Sequence, residues 1–159
     1  MAPDLSTIRK IPWNKEPTAQ IICDLNYPSG EPSKIAPRQV LKNIIKQLSD
    51  ENLRAVVAPE LEFYLCEQNL DPDLPLKTPI GKSGRRETGS RVFGIDAVNE
   101  FDKLTDDIYD YCELMNIGVD TLVHESGPSQ IEINLNHGDP LALADQAFMF
   151  KRAVRQVAL

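Results

Sequence analysis

Apolar and polar positions alternate through residues 60–65, with Leu61, Phe63 and Leu65 on one parity and Glu60, Glu62 and Tyr64 on the other. Side chains two apart on a strand share a face, so this period predicts a strand with an apolar side and an acidic side. It is the second half of a longer extended run over 53–67 that Pro59 interrupts, and proline in a strand marks an end, an edge or a bulge. The same period returns at 130–136, where Gln130, Glu132, Asn134 and Asn136 oppose Ile131, Ile133 and Leu135. With the extended stretch 119–126 and the turn "SGPS" between them, these residues predict a hairpin. A short strand is expected over 19–24, closed by the Pro/Gly cluster "YPSGEP".

A period near 3.6 takes over in three segments. Leu41, Ile44, Ile45 and Leu48 form one stripe, with Pro37 at the start of its helix. Phe101, Leu104, Ile108, Tyr111 or Cys112, and Met115 form a second, with Gly118 as the expected stop. Asp139 caps a third helix from Pro140, striped by Leu143, Ala147, Phe150, Val154 and Val157. Residues 1–17 carry three prolines and no sustained period, which predicts an irregular lead-in with Trp13 as an anchor. Residues 68–91 read as one long loop rich in Pro, Gly and charge, and "VFGIDAV" after it as a short strand or turn. The last stripe runs to Leu159 without a capping signal, which predicts a chain cut inside a larger domain.

Charge narrows the choice of function. Twenty-four acidic residues against 17 basic ones give a net charge of −7, so no concentrated basic face is offered to a nucleic acid. Cys23, Cys66 and Cys112 lack CxxC spacing and read as buried thiols in a reducing, cytoplasmic setting, not as a disulfide framework or zinc site. No apolar run approaches the length of a membrane span, and no membrane partner is expected.

Four acids, Glu60, Glu62, Glu125 and Glu132, fall on strand faces and not on loops. A hairpin brings Glu125 and Glu132 near each other across its strands. Spacing leaves two readings open: glutamates facing water on amphipathic strands, or an oxygen-rich site for a hard divalent cation. His124 and His137 read as structural or solvent-facing, and Lys151 and Arg152 as a solvated helix face. The run "GKSGRR" in the long loop is no P-loop, because the preceding Gly and the strand-to-helix setting are missing.

The run "APELEFYL" followed by "HESGPSQIEINLNHGDPLALADQAFMFKRAVRQVA" resembles the catalytic domain of the glutamine synthetase family. "PDLSTIRKIPW" and "PRQVLKNIIKQL" look like that family's entry into the domain, so the resemblance covers essentially the whole chain. "SGRRETGSRVFGIDAVNEFD" and an acid spacing one residue short look closer to the γ-glutamylpolyamine synthetase-like branch than to the ammonia-using enzymes. The implied fold is α+β: an incomplete, curved antiparallel sheet with about three helices packed outside it. Residues 1–28 would be the end of a β-grasp-like N-terminal domain and a linker, and 29–159 a truncated catalytic domain.

The implied activity is an ATP-dependent ligase joining the γ-carboxylate of glutamate to ammonia or an amine through γ-glutamyl phosphate. Mg²⁺ or Mn²⁺ is the implied cofactor, with ATP as a substrate. By this resemblance Glu62, Glu125 and Glu132 would hold the ion on the glutamate side, and Glu60 would help hold the ion that bridges the ATP phosphates. The family's remaining ligands, its phosphate-binding segments and a catalytic arginine would lie beyond Leu159, so the chain is expected to be inactive alone. Full-length members form large ring-shaped homo-oligomers. Ser129 stands at a turn where many members carry Gly, which reaches positive φ more freely. The competing expectation is a non-catalytic protein of that fold that binds divalent metal or a partner.

Overall fold

The computed structural model describes the chain from Met1 to Leu159. The lead-in is not irregular. It forms β1 (Ala2–Pro3), a 3-10 turn over Leu5–Thr7 and β2 (Arg9–Lys10), and it folds back on β3 (Ala19–Gln20) and β4 (Cys23–Asp24). β1 pairs antiparallel with β4, and β2 with β3. The single strand expected over 19–24 is therefore split between two ribbons. Asp4 joins the two: it caps the 3-10 turn through the Ser6 N–H, and its own N–H donates across the layer to the Ile22 carbonyl at 2.9 Å. Such pairings are non-local and leave no period in the sequence.

Arg38, in the first turn of α1 (Pro37–Asp50), ties this ribbon layer to the helices. Its guanidinium donates to Asp4 at 2.6 Å, Asp24 at 2.7 Å and Asp145 at 2.9 Å, and Lys42 adds a 2.5 Å contact to Asp24. The hydrogen bond from Ser6, and then that from Arg38, hold the Asp4 carboxyl down from 3.8 to about 2. Burial acts to raise Asp24, but Lys42 and Arg38 overcome it and hold that carboxyl below the usual range. Asp145, chiefly, keeps Arg38 protonated well above its ordinary value.

The main sheet has three antiparallel strands in the order β5 (Glu60–Tyr64), β7 (Gln130–Leu135), β6 (Val119–His124). β6 and β7 form the expected hairpin, with a register shift between Val119 and Thr121. Pro59 stands at the mouth of the edge strand β5, where its carbonyl accepts from the Leu135 N–H at 3.0 Å and its missing donor costs nothing. The apolar face of this sheet lies on α3 (Asp102–Leu114) and α4 (Pro140–Val157). Ile131, Ile133, Leu135, Ile108, Cys112, Met115, Leu143 and Phe150 make the core. Ile131 and Ile133 are fully buried, each contributing about 1.5–3 kcal/mol. That burial fixes the register, because a slip of one residue would turn the acids inward.

The three expected helices are present, with one short helix added. "VFGIDAV" contains a short helix, α2 (Ile95–Asn99), opened by Gly94 in an extended conformation with Asp96 in its first turn. The second expected helix stops at Leu114, earlier than Gly118, because Asn116 turns left-handed at φ 54°. The Ile117 N–H then reaches the Cys112 carbonyl at 2.8 Å, a Schellman closure. Asn52 ends α1 the same way. Asp139 caps α4 as expected, accepting from Leu141 and Ala142. No residue of α1 is buried, so its expected stripe is only partly covered. The cysteines are free, but only Cys112 is buried and Cys66 is exposed. Burial pushes the Cys112 thiol up to about 12. No helix is long and apolar enough to cross a membrane.

Candidate metal centre

Register brings the predicted acids onto one face. Glu62 stands directly opposite Glu132, Glu60 opposite Asn134, and Tyr64 opposite Gln130. Residues opposite each other in an antiparallel pair project to the same side, so all six share the face away from the core. On β6, Val123 is the partner of Glu132. Glu125 follows two residues later on that side, its N–H donating to the Gln130 carbonyl at 2.9 Å. Glu60 and Glu62 are exposed, and Glu125 and Glu132 are half-buried.

The face is built from oxygen. Gln130 Nε2 donates to Glu62 Oε2 at 2.5 Å, and Tyr64 Oη donates to Gln130 Oε1 at 3.0 Å. Asn134 Nδ2 donates to Thr121 Oγ1 at 3.0 Å, while Asn134 Oδ1 is buried without a donor. The Glu125 carboxylate accepts only from the Ser126 N–H, at 3.2 Å. Lysines and arginines pair with other carboxylates throughout the chain, and none of the four acids has such a partner. Like charges placed directly opposite on a sheet repel. A donor set of carboxylates plus an orphan carboxamide oxygen fits a hard divalent cation. Glu62 and Glu132 are brought side by side, with Glu60 and Glu125 flanking them. No three of the chain's His, Cys, Asp or Glu side chains close into a ready-made ion shell.

The other candidates separate cleanly. His137 is exposed, whereas His124 is fully buried and pairs with Glu87, Nε2 to Oε2 at 2.8 Å. Glu87 was not singled out by sequence, since one acid in a structureless loop has no period to reveal it. The "GKSGRR" loop is held in place by Lys82–Asp102 and Arg86–Glu67 pairs, each 2.6 Å. With Arg91 and Glu100 it lines a polar cavity of about 520 Å³. Arg152 lies 5.7 Å above the Trp13 ring, so it serves packing, and Lys151 is exposed.

The family model described as glutamine synthetase, catalytic domain, matches residues 34–159. Gamma-glutamylputrescine synthetase PuuA of Escherichia coli (strain K12) is 35% identical over 158 residues, covering 98% of this chain and 34% of the relative. Glutamate–isopropylamine ligase of Pseudomonas sp is 28% identical over 162 residues, covering 99% and 34%. A glutamine synthetase of Mycobacterium tuberculosis (strain ATCC 25618 / H37Rv) is 30% identical over 169 residues, covering 99% and 34%. A solved structure described as a GmaS/ADP complex shares the fold, with a TM-score of 0.79 at 23% identity over 98% of this chain and 34% of that one. The chain thus spans about a third of the length of the curated relatives it matches.

Proposed function

This chain belongs to the glutamine synthetase family, and on that premise we propose that it carries the acid face of a ligase joining glutamate to ammonia or an amine at the expense of ATP. The observation that carries this reading is the pairing of Glu62 with Glu132 on a face without lysine or arginine partners. The reaction runs in two displacements. A γ-carboxylate oxygen of glutamate attacks the γ-phosphorus of ATP, and ADP leaves. The amine nitrogen then attacks the γ-carbonyl of the γ-glutamyl phosphate, phosphate leaves, and the nitrogen gives up a proton.

Both reactants of the first displacement are anions, so positioning and charge neutralisation account for most of the catalysis. A bound Mg²⁺ or Mn²⁺ supplies that neutralisation. Glu62, Glu125 and Glu132 would hold one ion and Glu60 would help hold a second. The chain contributes a rigid mounting: Leu61, Phe63, Ile131 and Ile133 lock the strands against α3 and α4, so the acids on the other face keep their spacing. The kinship with putrescine- and isopropylamine-using relatives supports an amine, over ammonia, as acceptor.

The test is Mn²⁺ binding to the chain, followed by electron paramagnetic resonance, with Glu62→Gln and Glu132→Gln beside the wild type. Saturable binding weakened by both substitutions supports the reading, and binding indifferent to both overturns it. Phosphate release from ATP that requires glutamate and one member of an amine panel, in the full polypeptide that carries these residues, tests the ligase reaction. Metal binding without such release favours a non-catalytic metal-binding protein.

A further inference from the structure

We propose that Glu87 is a positioning residue for the acid face: its carboxylate clamps the turn that carries Glu125. Glu87 belongs to the long loop, yet its side chain is only 8% exposed. One oxygen, Oε2, accepts from His124 Nε2 at 2.8 Å and from the Ser129 N–H at 2.5 Å. These two residues bracket Glu125 at either end of the β6–β7 turn. A second tether runs from the same loop, the Phe93 N–H donating to the His124 carbonyl at 2.8 Å.

The bonds form a closed relay. His124 Nδ1 faces the Glu125 carbonyl at 2.8 Å, and a ring nitrogen facing a carbonyl must donate, so Nδ1 carries a proton. Nε2 faces the Glu87 carboxylate on the opposite side of the ring. The relay therefore runs from Glu87 through the imidazole to the backbone of Glu125 itself.

Ser129 shows the force of the clamp. It is fully buried and sits at φ 57°, a left-handed conformation that costs a residue with a Cβ about 1–2 kcal/mol. Its Oγ has no partner, so its side chain does not hold it there. Its N–H is directed at Glu87, while its carbonyl accepts from the Leu65 N–H just past β5 at 2.9 Å. Loss of Glu87 removes the Ser129 and His124 ties at once and leaves His124 buried with an unpaired nitrogen.

This inference rests on the metal reading of the acid face, and the experiment separates the two. Wild type, Glu87→Ala and Glu87→Gln are compared for Mn²⁺ affinity by electron paramagnetic resonance and for amide hydrogen exchange at Ser129. Glutamine's carboxamide oxygen still accepts from the Ser129 N–H, but without the carboxylate charge the His124 contact is weakened, so this variant separates the two ties. Glu87→Ala is expected to weaken Mn²⁺ binding about tenfold or more and to deprotect the Ser129 amide, while Glu87→Gln keeps that amide protected and falls between Glu87→Ala and wild type in Mn²⁺ affinity. Unchanged Mn²⁺ affinity in Glu87→Ala, or an unchanged Ser129 amide, overturns the proposal. Should the wild type bind no Mn²⁺, the metal reading fails, and the clamp stands or falls on the Ser129 amide alone.

Discussion

Asp4, Asp24 and Asp145 converge on Arg38 with Lys42 beside them, while Glu60, Glu62, Glu125 and Glu132 share a sheet face that no lysine or arginine meets. Both groups are carboxylates clustered by folding, in one acidic chain. In the first the cations are built in, and the charges serve to join the ribbon layer, α1 and α4. In the second the repulsion is left standing on a rigid mounting, where a mobile cation can relieve it. An acid cluster is thus classified by what faces it, not by how many acids it holds.

The contrast is broken most directly at Arg38. Arg38→Ala leaves Asp4 and Asp145 without a cation and Asp24 with Lys42 alone, all at most a quarter exposed, and it is expected to cost about 1–3 kcal/mol in urea unfolding, with no recovery on adding Mn²⁺. A wild-type-like midpoint would mean the cluster is a bystander. The same cluster has a pH signature. Asp4 and Asp24 are depressed in the folded chain, so their stabilisation is complete above the ordinary carboxylate value, about 4, and is lost as pH falls toward about 2. Unfolding measured across that window should show a slope that Arg38→Ala flattens.

On the open face the expected effects are smaller and concern binding before stability. Glu132→Gln should weaken Mn²⁺ about tenfold, which is about 1.4 kcal/mol, in the resonance titration. Ser129→Gly keeps the N–H that meets Glu87 and removes the left-handed strain, so a gain of about 1 kcal/mol is expected with Mn²⁺ affinity unchanged. Glu62→Gln, measured without metal, should be neutral or stabilising by about 0.5 kcal/mol, because it removes a like charge opposite Glu132. A clear loss of stability there would show that the acid pair is already satisfied, and would dissolve the contrast.

What was legible in the sequence was what repeats locally. The parity of Leu61 and Phe63 against Glu60 and Glu62, the "SGPS" hairpin and the Asp139 cap all follow from neighbours a few residues apart. Pairings across long separations were not legible from periodicity, and only the family resemblance grouped Glu62 with Glu132. Glu62 meets Glu132 across 70 residues, and Arg38 meets Asp145 across 107. Neither alternation nor helical spacing encodes which distant partner is chosen. Gly118 was a poor guide to the helix end, because asparagine reached the left-handed turn two residues earlier.

The aromatic contact at the lead-in carries one more consequence. Trp13 is the only tryptophan of the chain, and it rests against Tyr111 of α3 at 5.7 Å between ring centroids, with Arg152 of α4 over it. Its fluorescence therefore reports a single event, the docking of the N-terminal ribbons onto the helices. If those ribbons come away before the core melts, the emission changes first and the helical circular dichroism later. One optical probe, already present in the native residues, then times the two layers separately.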